Sequence, residues 1–408
     1  MTKKSDAPAI RFKGFSDAWE QRKAIDIADY SKGNGYSKGD LTDAGTPIIL
    51  YGRLYTKYQF AISEVDTFAV PRNGAVYSQG NEVIVPASGE TAEDIARASA
   101  VEKSGVLLGG DLNILRPFEF MNPLFLALAI SNGEPQKELA KKAQGKSVVH
   151  IHNSDIQEVT IAYPSRTEQD QIVSVFRQLD NLITLHQRKF EKLTNVKKSM
   201  LEKMFPQNGS SYPEIRFKGF TDPWEQRKVG DLLIERNQQA PMSDEYPLMA
   251  FIANEGVAPK GERYDRSALV TDTVNKLYKK TEKGDFIYSS NNLETGSIGL
   301  NKYGKACISP VYSIFEPTGI ADSDFLGRRL VRKDFINAMV KWRQGVIYGQ
   351  WRIHESDFLK IEITVPSVEE QRKIGAYLDQ LDNLITLHQR ELEKLQNIKK
   401  SMLEKMFV

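Results

Sequence analysis

The sequence predicts an α+β protein with a pseudo-two-fold internal repeat, in which two globular mixed α/β domains alternate with two long helices. Two observations give this prediction. A segment of 38 residues occurs twice with helical periodicity, and the region before each copy holds short strand-like and helical stretches separated by turns. The chain has 408 residues, of which 40% are hydrophobic, so it can form more than one core.

The long repeat aligns residues 168–205 with residues 370–407 without a gap, and 27 of the 38 aligned positions are identical. The stretch LDNLITLHQR occurs in both copies, at 179–188 and again at 381–390. Two copies of a unit of about 200 residues indicate a tandem duplication of domains rather than a solenoid of small repeats.

A second pair of matching segments lies upstream, where IRFKGFSDAWEQRK at 10–23 matches IRFKGFTDPWEQRK at 215–228. A fainter match joins HIHNSDIQEVTIAYPS, which begins at His150, to RIHESDFLKIEITVPS, which begins at Arg352. The stretches 25–149 and 230–351 show no obvious identity to each other. The chain therefore alternates variable and constant segments.

Apolar residues recur in each long repeat with alternating steps of four and three, which predicts a long helix with a coiled-coil seam. At 1.5 Å per residue each helix is about 55 Å long. The predicted seam of the first copy is Ile172, Phe176, Leu179, Ile183, His186, Phe190, Leu193, Lys197, Met200 and Met204. The seam of the second copy is Ile374, Leu378, Leu381, Ile385, His388, Leu392, Leu395, Lys399, Met402 and Met406.

The start of each helix carries a capping signal. Ser165 and Ser367 are predicted N-caps, and a glutamate three residues later, Glu168 or Glu370, suggests a capping box. One such helix could be an ordinary core helix of its own domain, but two near-identical copies favour pairing with each other. A second apolar stripe of Leu182, Leu185 and Val196 indicates that each helix also packs against a neighbouring domain or a partner.

The variable segments have similar landmarks in the same order and are expected to share one fold with different surface side chains. In the second, KGDFIYSS predicts a strand, SIGLNKYGKACISPVYSIFEP predicts a hairpin with a further strand, and DFLGRRLVRKDFINAMVKWRQG predicts helix. In the first, NPLFLALAISNGEPQKELAKKA predicts the corresponding helical stretch.

Polar and aromatic patches in the variable segments are candidate DNA contacts, because Arg and Lys recognise guanine, Asn and Gln recognise adenine, and Lys and Ser bind phosphate. Ordinary polar loops are the alternative explanation of any single patch, because such residues line most protein surfaces. The candidates in the first variable segment are Tyr51, Arg53, Tyr55, Lys57, Arg72, Asn73, Tyr77, Gln79, Lys146 and Ser147. Those in the second are Lys276, Tyr278, Lys279, Lys280, Ser289, Ser290, Asn291, Asn292, Arg343, Gln344, Tyr348, Gln350, Trp351 and Arg352.

Several function classes lack their sequence signals. The longest apolar run, PLFLALAI, is too short to span a membrane, and no signal peptide is recognised, so a cytoplasmic protein is expected. The GKS at 145–147 lacks the upstream glycine of a phosphate-binding loop, because position 140 is Ala. No zinc-ligand cluster, dinucleotide fingerprint or nucleophile elbow is present. We expect no catalytic residues, no metal and no cofactor bound by this chain. A net charge of +2 places any DNA binding in local patches.

The paired IRFKGF…WEQRK openings, the paired EQ…LDNLITLHQR…KKSMLEKMF helices and the alternation of variable and constant segments resemble the specificity subunit of type I restriction–modification enzymes. The resemblance covers essentially the whole chain. It implies target-recognition domains at 1–166 and 207–368, which include the short repeats at 10–23 and 215–228. It also implies constant coiled-coil helices at 167–206 and 369–408.

The resemblance further implies a function. Each variable domain would recognise one half of a bipartite, asymmetric site in double-stranded DNA, and the helices would pair antiparallel to set the spacer. The constant regions would dock two modification (methyltransferase) subunits, and two restriction (ATPase and nuclease) subunits would complete the enzyme. S-adenosylmethionine, ATP and Mg²⁺ would then act in the partner subunits, and this chain would be non-catalytic.

A pseudo-two-fold scaffold would present the same surface to two copies of one partner. Candidate docking residues off the predicted seam are Asp180, Asn181, Thr184, Gln187, Asp382, Asn383, Thr386 and Gln389. Two other interpretations remain open. A stand-alone two-module DNA-binding scaffold attached to another complex would bind DNA without a methyltransferase, and a lone nuclease would need an acidic cluster that is not recognisable in the sequence.

Overall fold

The structure is a computed structural model that describes residues 8–145, 148–207, 209–259, 276–345 and 350–407. The chain divides into two compact units, one formed by residues 1–187 and 390–408 and the other by residues 188–389. Each unit therefore contains one variable domain, the first part of one long repeat and the last part of the other.

Two five-stranded sheets form the core of the first domain. The strands of one sheet, in spatial order, are Ala28–Lys32, Leu112–Pro117, Glu82–Pro86, Ser99–Val101 and Ala61–Ile62. Those of the other are Leu41–Thr42, Phe68–Ala69, Thr46–Ile49, Ser104–Leu108 and Tyr77–Gln79. Glu20–Lys23 pairs with Thr160–Tyr163, and Val149–His150 pairs with Ser88–Gly89. The helices are Arg53–Thr56, Pro123–Ile130, Gly133–Lys142 and Asn153–Gln157, with short 3₁₀ turns at Ala24–Asp26 and Lys38–Asp40.

The second domain is built on a matching four-stranded sheet, whose strands in spatial order are Leu233–Glu235, Ser313–Pro317, Phe286–Tyr288 and Ile298–Leu300. A three-stranded sheet contains Gln239–Ala240, Tyr278–Thr281 and Ala306–Ile308. The two-stranded pairs are Ala250–Ile252 with Gly256–Ala258, Glu225–Lys228 with Glu362–Val365, and Gln344–Gly345 with Trp351–Arg352. The helices are Val229–Leu232, Ser323–Arg329, Lys333–Val340 and Glu355–Phe358.

The four strands of this sheet follow the chain order and spatial order of four strands in the first domain, which confirms that the two variable segments share a fold. The predicted helical stretches are also present, each as two short helices. The predicted hairpin was wrong. Ile298–Leu300 pairs with Phe286–Tyr288, whereas Ala306–Ile308 pairs with Tyr278–Thr281 in the other sheet. Two alternating strands around a KYGK turn satisfy the local pattern of a hairpin, but each strand buries its apolar side chains in a different sheet.

The predicted long helices are confirmed as Arg166–Lys203 and Val368–Met406. The predicted seam is also confirmed, because each of its 20 residues is buried or half-buried. Exposed positions alternate with them, and these include both leucines of the second stripe, Leu182 and Leu185. The helices are therefore amphipathic over their whole length.

Within each unit, the start of one long helix pairs antiparallel with the end of the other. In the first unit Phe176 lies against Phe407, with ring centroids 6.2 Å apart, and Asp180 forms an ion pair with Lys399. In the second unit Asp382 forms the equivalent ion pair with Lys197. The paired positions rise along one helix as they fall along the other, as an antiparallel arrangement requires.

A buried ion pair attaches each short repeat to its long helix. The Nε and Nη2 atoms of Arg11 donate to the two carboxylate oxygens of Glu168, both at 2.7 Å, and Arg216 binds Glu370 with the same two distances. Both glutamates are 1% exposed. The predicted capping box is therefore wrong in one of its two bonds. The backbone N–H of Glu168 does donate to the Ser165 hydroxyl at 3.4 Å, but its carboxylate binds the arginine.

The glutamine that follows each glutamate joins three elements. The side-chain oxygen of Gln169 accepts a hydrogen bond from the backbone N–H of Asn122, the N-cap of helix Pro123–Ile130. Its amide donates to the backbone carbonyls of Phe120 and Pro164. Gln371 makes the equivalent three bonds, to Asp322, Ile320 and Pro366. Because both side chains are buried, these bonds satisfy polar groups that would otherwise be costly.

Candidate nucleic-acid interface and docking surface

Two distant stretches of the second domain form one polar surface. The Ser290 hydroxyl accepts a hydrogen bond from the backbone N–H of Ile353 at 3.0 Å, and Asn291 Oδ1 accepts one from the backbone N–H of Trp351 at 2.6 Å. Arg343 Nε donates to the backbone carbonyl of Ser290 at 3.1 Å. Described candidates from 289–292 and from 343–344 and 351–352, separated by about 50 residues in the sequence, therefore lie together.

The exposed groups of this surface are aromatic and polar. Trp351 is 49% exposed, and Arg352, Asn292, Gln344 and Gln350 are exposed beside it in the same two stretches. An exposed indole can stack on a base or contact a sugar, and the amides and guanidinium can bond to base edges or phosphate.

Carboxylates neutralise part of the positive charge. Arg343 binds both oxygens of Glu294 at 2.7 Å, and these bonds lower the pKa of Glu294 below its ordinary value. Arg352 lies 3.4 Å from Glu355. Arg343 is therefore held in place as a structural brace, whereas Arg352, with 55% of its side chain exposed, remains accessible.

The first domain has the same arrangement with different side chains. Val149–His150 pairs with Ser88–Gly89, and His150 Nδ1 lies 3.1 Å from the Ser88 hydroxyl. The Tyr55 hydroxyl donates to the backbone carbonyl of Ser88 at 2.9 Å. Gln144 pairs with His150 through an antiparallel β-bridge. Gln344 pairs with Arg352 in the same antiparallel way in the second domain. In both domains a Gln-Gly pair, Gln144–Gly145 or Gln344–Gly345, therefore lies beside the strand that contains His150 or Arg352.

Sequence reasoning did not select Ser88 or His150. The matching stretches that begin HIHNSD and RIHESD contained the signal, because they align His150 with Arg352 at the common offset of 202. The strand that carries Ser88 has no such identity, so only the sheet pairing shows that it lies beside His150.

The three cationic candidates of the first domain within the described residues, Arg53, Lys57 and Arg72, are engaged in ion pairs. Arg53 and Lys57 both bind Asp66 at 2.6 Å, and hydrogen bonds from Lys57 and then Arg53 hold the pKa of Asp66 well below its usual range. Arg72 binds Asp40, whose pKa is lowered first by the Ser37 backbone N–H and then by Arg72. These side chains stabilise loops, and DNA would have to compete with their carboxylates.

The remaining candidates of the first domain are at or near the surface. Tyr51, Asn73, Tyr77 and Gln79 are exposed, and Tyr51 packs edge-on against Tyr55 with ring centroids 6.4 Å apart. In the second domain Lys276 is exposed, and the Lys280 ammonium lies 4.2 Å from the centroid of the Tyr246 ring. Lys146, Ser147 and Tyr348 lie outside the described residues.

Three candidates of the second domain are buried and are removed from the predicted interface. Tyr278 and Lys279 lie in the strand Tyr278–Thr281 and are 6% and 7% exposed, and Ser289 is 5% exposed. Tyr278 packs with Tyr246 and Cys307 in a small core cluster. The Lys-Tyr-Ser composition suggested a surface loop, but Tyr278–Thr281 is the middle strand of its three-stranded sheet and is covered on both faces.

The docking candidates on the helices fall into two groups. Asn181, Thr184, Asn383 and Thr386 are exposed in the described part of the chain. Asp180 and Asp382 are half-buried and bind Lys399 and Lys197, and Asp382 also accepts a bond from Arg328 at 2.9 Å. Gln187 and Gln389 also interact within the chain. Beside the exposed group lie Leu182, Leu185, Leu384 and Leu387, each between 43% and 51% exposed.

Within the described residues, no group of three or more His, Cys, Asp or Glu side chains is arranged to hold a metal ion. No helix in that part of the chain is long and apolar enough to cross a membrane.

The fold and its surfaces define a two-domain recognition protein built on paired helices, and comparison with known proteins identifies its class. The family of the type I restriction modification DNA specificity domain matches residues 16–195 and again residues 221–397. The chain belongs to this family and is therefore a DNA-specificity subunit of a type I restriction–modification system, a recognition protein rather than an enzyme.

Individual relatives support this membership. The chain is 23% identical over 355 residues to the type I restriction enzyme MjaVIII specificity subunit of Methanocaldococcus jannaschii, covering 81% of this chain and 79% of that protein. It is 25% identical over 312 residues to the putative MjaX specificity subunit of the same organism, covering 73% and 70%. The crystal structure of the S subunit from M. genitalium shares the fold, with a TM-score of 0.60, 16% identity and coverage of 98% and 99%.

Proposed function

We propose that each variable domain recognises one half of a bipartite site in double-stranded DNA and that the paired long helices fix the spacer between the halves. The observation that supports this most directly is the contrast between the two halves of the chain. The domains share a sheet order but differ in the side chains of their paired polar surfaces, whereas the helices keep 27 of 38 residues identical. Different surfaces suit different half-sites, and identical helices suit one kind of partner.

In this proposal the Gln-Gly pair and the strands beside it form the DNA-contacting surface of each domain. Trp351 and Arg352 would act in the second domain, and His150 with Ser88 in the first. Replacing Trp351 by Ala removes an exposed indole that can contact a sugar or a base edge, and the loss of one such contact typically costs about 1–3 kcal/mol. We expect DNA affinity to fall about 10-fold or more, measured by fluorescence anisotropy on the assembled complex. Tyr303→Ala, which removes an equally exposed ring elsewhere in the domain, is the control and should keep full affinity.

We also propose that modification subunits dock on the exposed leucines and neighbouring polar residues of each helix. The four leucines are 43–51% exposed although leucine favours burial. A methyltransferase subunit would bind beside Leu182 and Leu185, and a second copy beside Leu384 and Leu387. Two restriction subunits would join the complex, and S-adenosylmethionine, ATP and Mg²⁺ would act in the partner subunits. The cytoplasm would be the site of action.

Mass measurement of the chain co-expressed with a type I modification subunit tests the docking proposal. The wild-type chain should carry two modification subunits. Leu185→Asp should leave one bound, Leu387→Asp should also leave one, and the double variant should leave none. Leu185→Met keeps an apolar side chain and should keep both.

The leucine substitutions test docking more directly than a substitution of Asp180, because Asp180→Ala would also break the ion pair with Lys399. A chain that bound DNA tightly while binding no modification subunit would support the stand-alone scaffold interpretation instead.

A further inference from the structure

The two copies of the long repeat differ where each helix meets its own domain. Residues 178–188 are identical to residues 380–390, yet seven of the eight positions from 170 to 177 differ from their counterparts at 372–379. We name residues 170–177 and 372–379 the pairing segments. The first reads DQIVSVFR and the second reads RKIGAYLD.

The last position of the pairing segments carries opposite charge in the two copies. Arg177 forms an ion pair with Glu102 of the first domain. Asp379, at the equivalent position, accepts bonds from Arg328 at 2.7 Å and Lys302 at 3.1 Å, both in the second domain. The Arg328 side chain is 10% exposed, so this contact is partly shielded from solvent. If the first long helix packed against the second domain, Arg177 would face the cationic side chains of Arg328 and Lys302.

The middle of the pairing segments differs in size. Gly375 lies under the N-terminus of helix Ser323–Arg329, where an added Cβ would be 2.8 Å from Asp322 Oδ1 and 3.1 Å from Asp324 Cβ. Val173, its counterpart, is buried in the core of the first domain. A valine at position 375 would therefore push the second domain away from its helix, whereas a glycine at position 173 would leave a gap in the first.

One further position follows the same rule. Asp170 accepts a bond from Asn122 Nδ2 at 2.6 Å in the first unit, whereas its counterpart Arg372 is exposed. Tyr377 packs edge-on against Phe217 of the short repeat, with ring centroids 5.9 Å apart, but the counterpart of Phe217 is Phe12, so this contact does not distinguish the two domains. Charge and size thus distinguish the two segments.

We propose that the pairing segments form a contact code: their side chains favour packing of each recognition domain on its own helix and disfavour packing of the other domain there. The first segment against the second domain combines like charges with a steric clash, and the second segment against the first domain combines like charges with a cavity. Such unfavourable contacts give specificity even where each attractive pair is weak. The recognition module therefore extends into the first turns of the helix, and its boundary lies after Arg177 and Asp379. This inference concerns contacts within the chain and stands whether or not the proposed docking and half-site recognition are correct.

The first experiment exchanges key residues in the full chain. Gly375→Val combined with Asp379→Arg gives the second helix two residues of the first. We expect the second unit to unfold at a temperature lower by several degrees, with faster proteolysis between residues 209 and 366. Thr194→Gln also replaces a residue by its counterpart in the other copy, but on an exposed part of the helix, and should change neither quantity. An unchanged unfolding temperature in the double variant would contradict the code.

A charge-reversal cycle tests the electrostatic part of the code. Arg177→Asp and Glu102→Lys should each lower the unfolding temperature of the first unit, and the double variant should recover most of the loss. A merely structural role of either side chain predicts additive losses instead, so additivity would overturn the charge code.

Chimeras test the boundary. The second domain, residues 229–366, replaces residues 24–164 in the full chain, followed either by DQIVSVFR or by RKIGAYLD. The chimera with RKIGAYLD should unfold cooperatively, and the chimera with DQIVSVFR should be proteolysed several-fold faster. Equal behaviour of the two chimeras, whether both fold or both fail, would overturn the assignment of these residues to the module.

Discussion

Arg11 and Arg216 show how a short sequence match becomes a structural role. Each side chain donates two hydrogen bonds to a glutamate that is 1% exposed at the start of a long helix. Breaking a buried pair leaves an uncompensated charge, which costs more than the pair contributes when intact. The arginine of IRFKGF and the glutamate of the EQ motif thus form one ion pair, the buried joint between short repeat and long helix.

We predict that Glu168→Gln destabilises the first unit by about 3–5 kcal/mol, because the Arg11 side chain, only 14% exposed, is left without its counterion. Urea unfolding measures the loss, and hydrogen exchange should localise it to residues 10–15. Glu214→Gln is the matched control. Glu214 binds Lys203 with 66% of its side chain exposed, so its loss should cost less than about 1 kcal/mol. Equal costs for the two variants would contradict the buried-joint interpretation.

Residue-scale prediction from sequence succeeded where spacing determines contact and failed where the partner is distant. The spacing of Ser165 and Glu168 indicated a helix start correctly, but the partner of the Glu168 carboxylate is 157 residues away in the sequence. Lys279 was misplaced for a similar reason. A lysine on a buried strand is distinguished from one on a loop only by the sheet that covers it.

At the scale of elements, the long helices were the most predictable part of the fold. A repeat with steps of four and three over ten positions identifies both the helix and its buried face without tertiary information. The short strands were less predictable, because two- and three-residue strands are defined by pairing across long sequence separations. Ile298–Leu300 and Ala306–Ile308 were predicted as one hairpin and belong to two sheets.

The buried and exposed leucines of one helix give a matched pair of variants. We predict that Leu179→Ala, in the seam at 9% exposure, destabilises the first unit by about 2–4 kcal/mol through the cavity it leaves. Leu182→Ala, at 43% exposure, should cost less than about 0.5 kcal/mol in the isolated chain. Thermal unfolding of the two variants measures the difference between these losses of stability. Comparable losses would show that the second stripe is already buried against the chain.

At the scale of the whole molecule, each unit bonds a short repeat to the end of a long helix. In the second unit a linker also joins the two, and in the first unit it does not. The backbone N–H of Ile215 donates to the carbonyl of Lys203 at 2.9 Å, and a linker of residues 206–214 joins the two repeats. In the first unit the N–H of Ile10 donates to the carbonyl of Lys405 at 3.2 Å, although no linker connects these residues. Each short repeat therefore lies beside the end of a long helix.

This arrangement predicts tolerance of circular permutation. A copy of residues 206–214 should join Phe407 to Ile10, and the chain should open within the original linker. We expect the permuted chain to unfold at a temperature within a few degrees of the parent, since both short repeats keep their helix ends. A permutant opened inside the buried strand Glu82–Pro86 is the control and should not fold. Failure of the linker permutant would contradict the equivalence of the two connections.

The central claim is that the two domains act independently on two DNA half-sites. Sequencing of methylated DNA from cells that express this chain with its modification subunit tests it most directly, together with the chain that carries Trp351→Ala. The wild-type chain should give one bipartite motif with an unspecified spacer. The variant should relax the motif in one half only and keep the spacer. A motif that changes in both halves, or a motif without a spacer, would contradict the account.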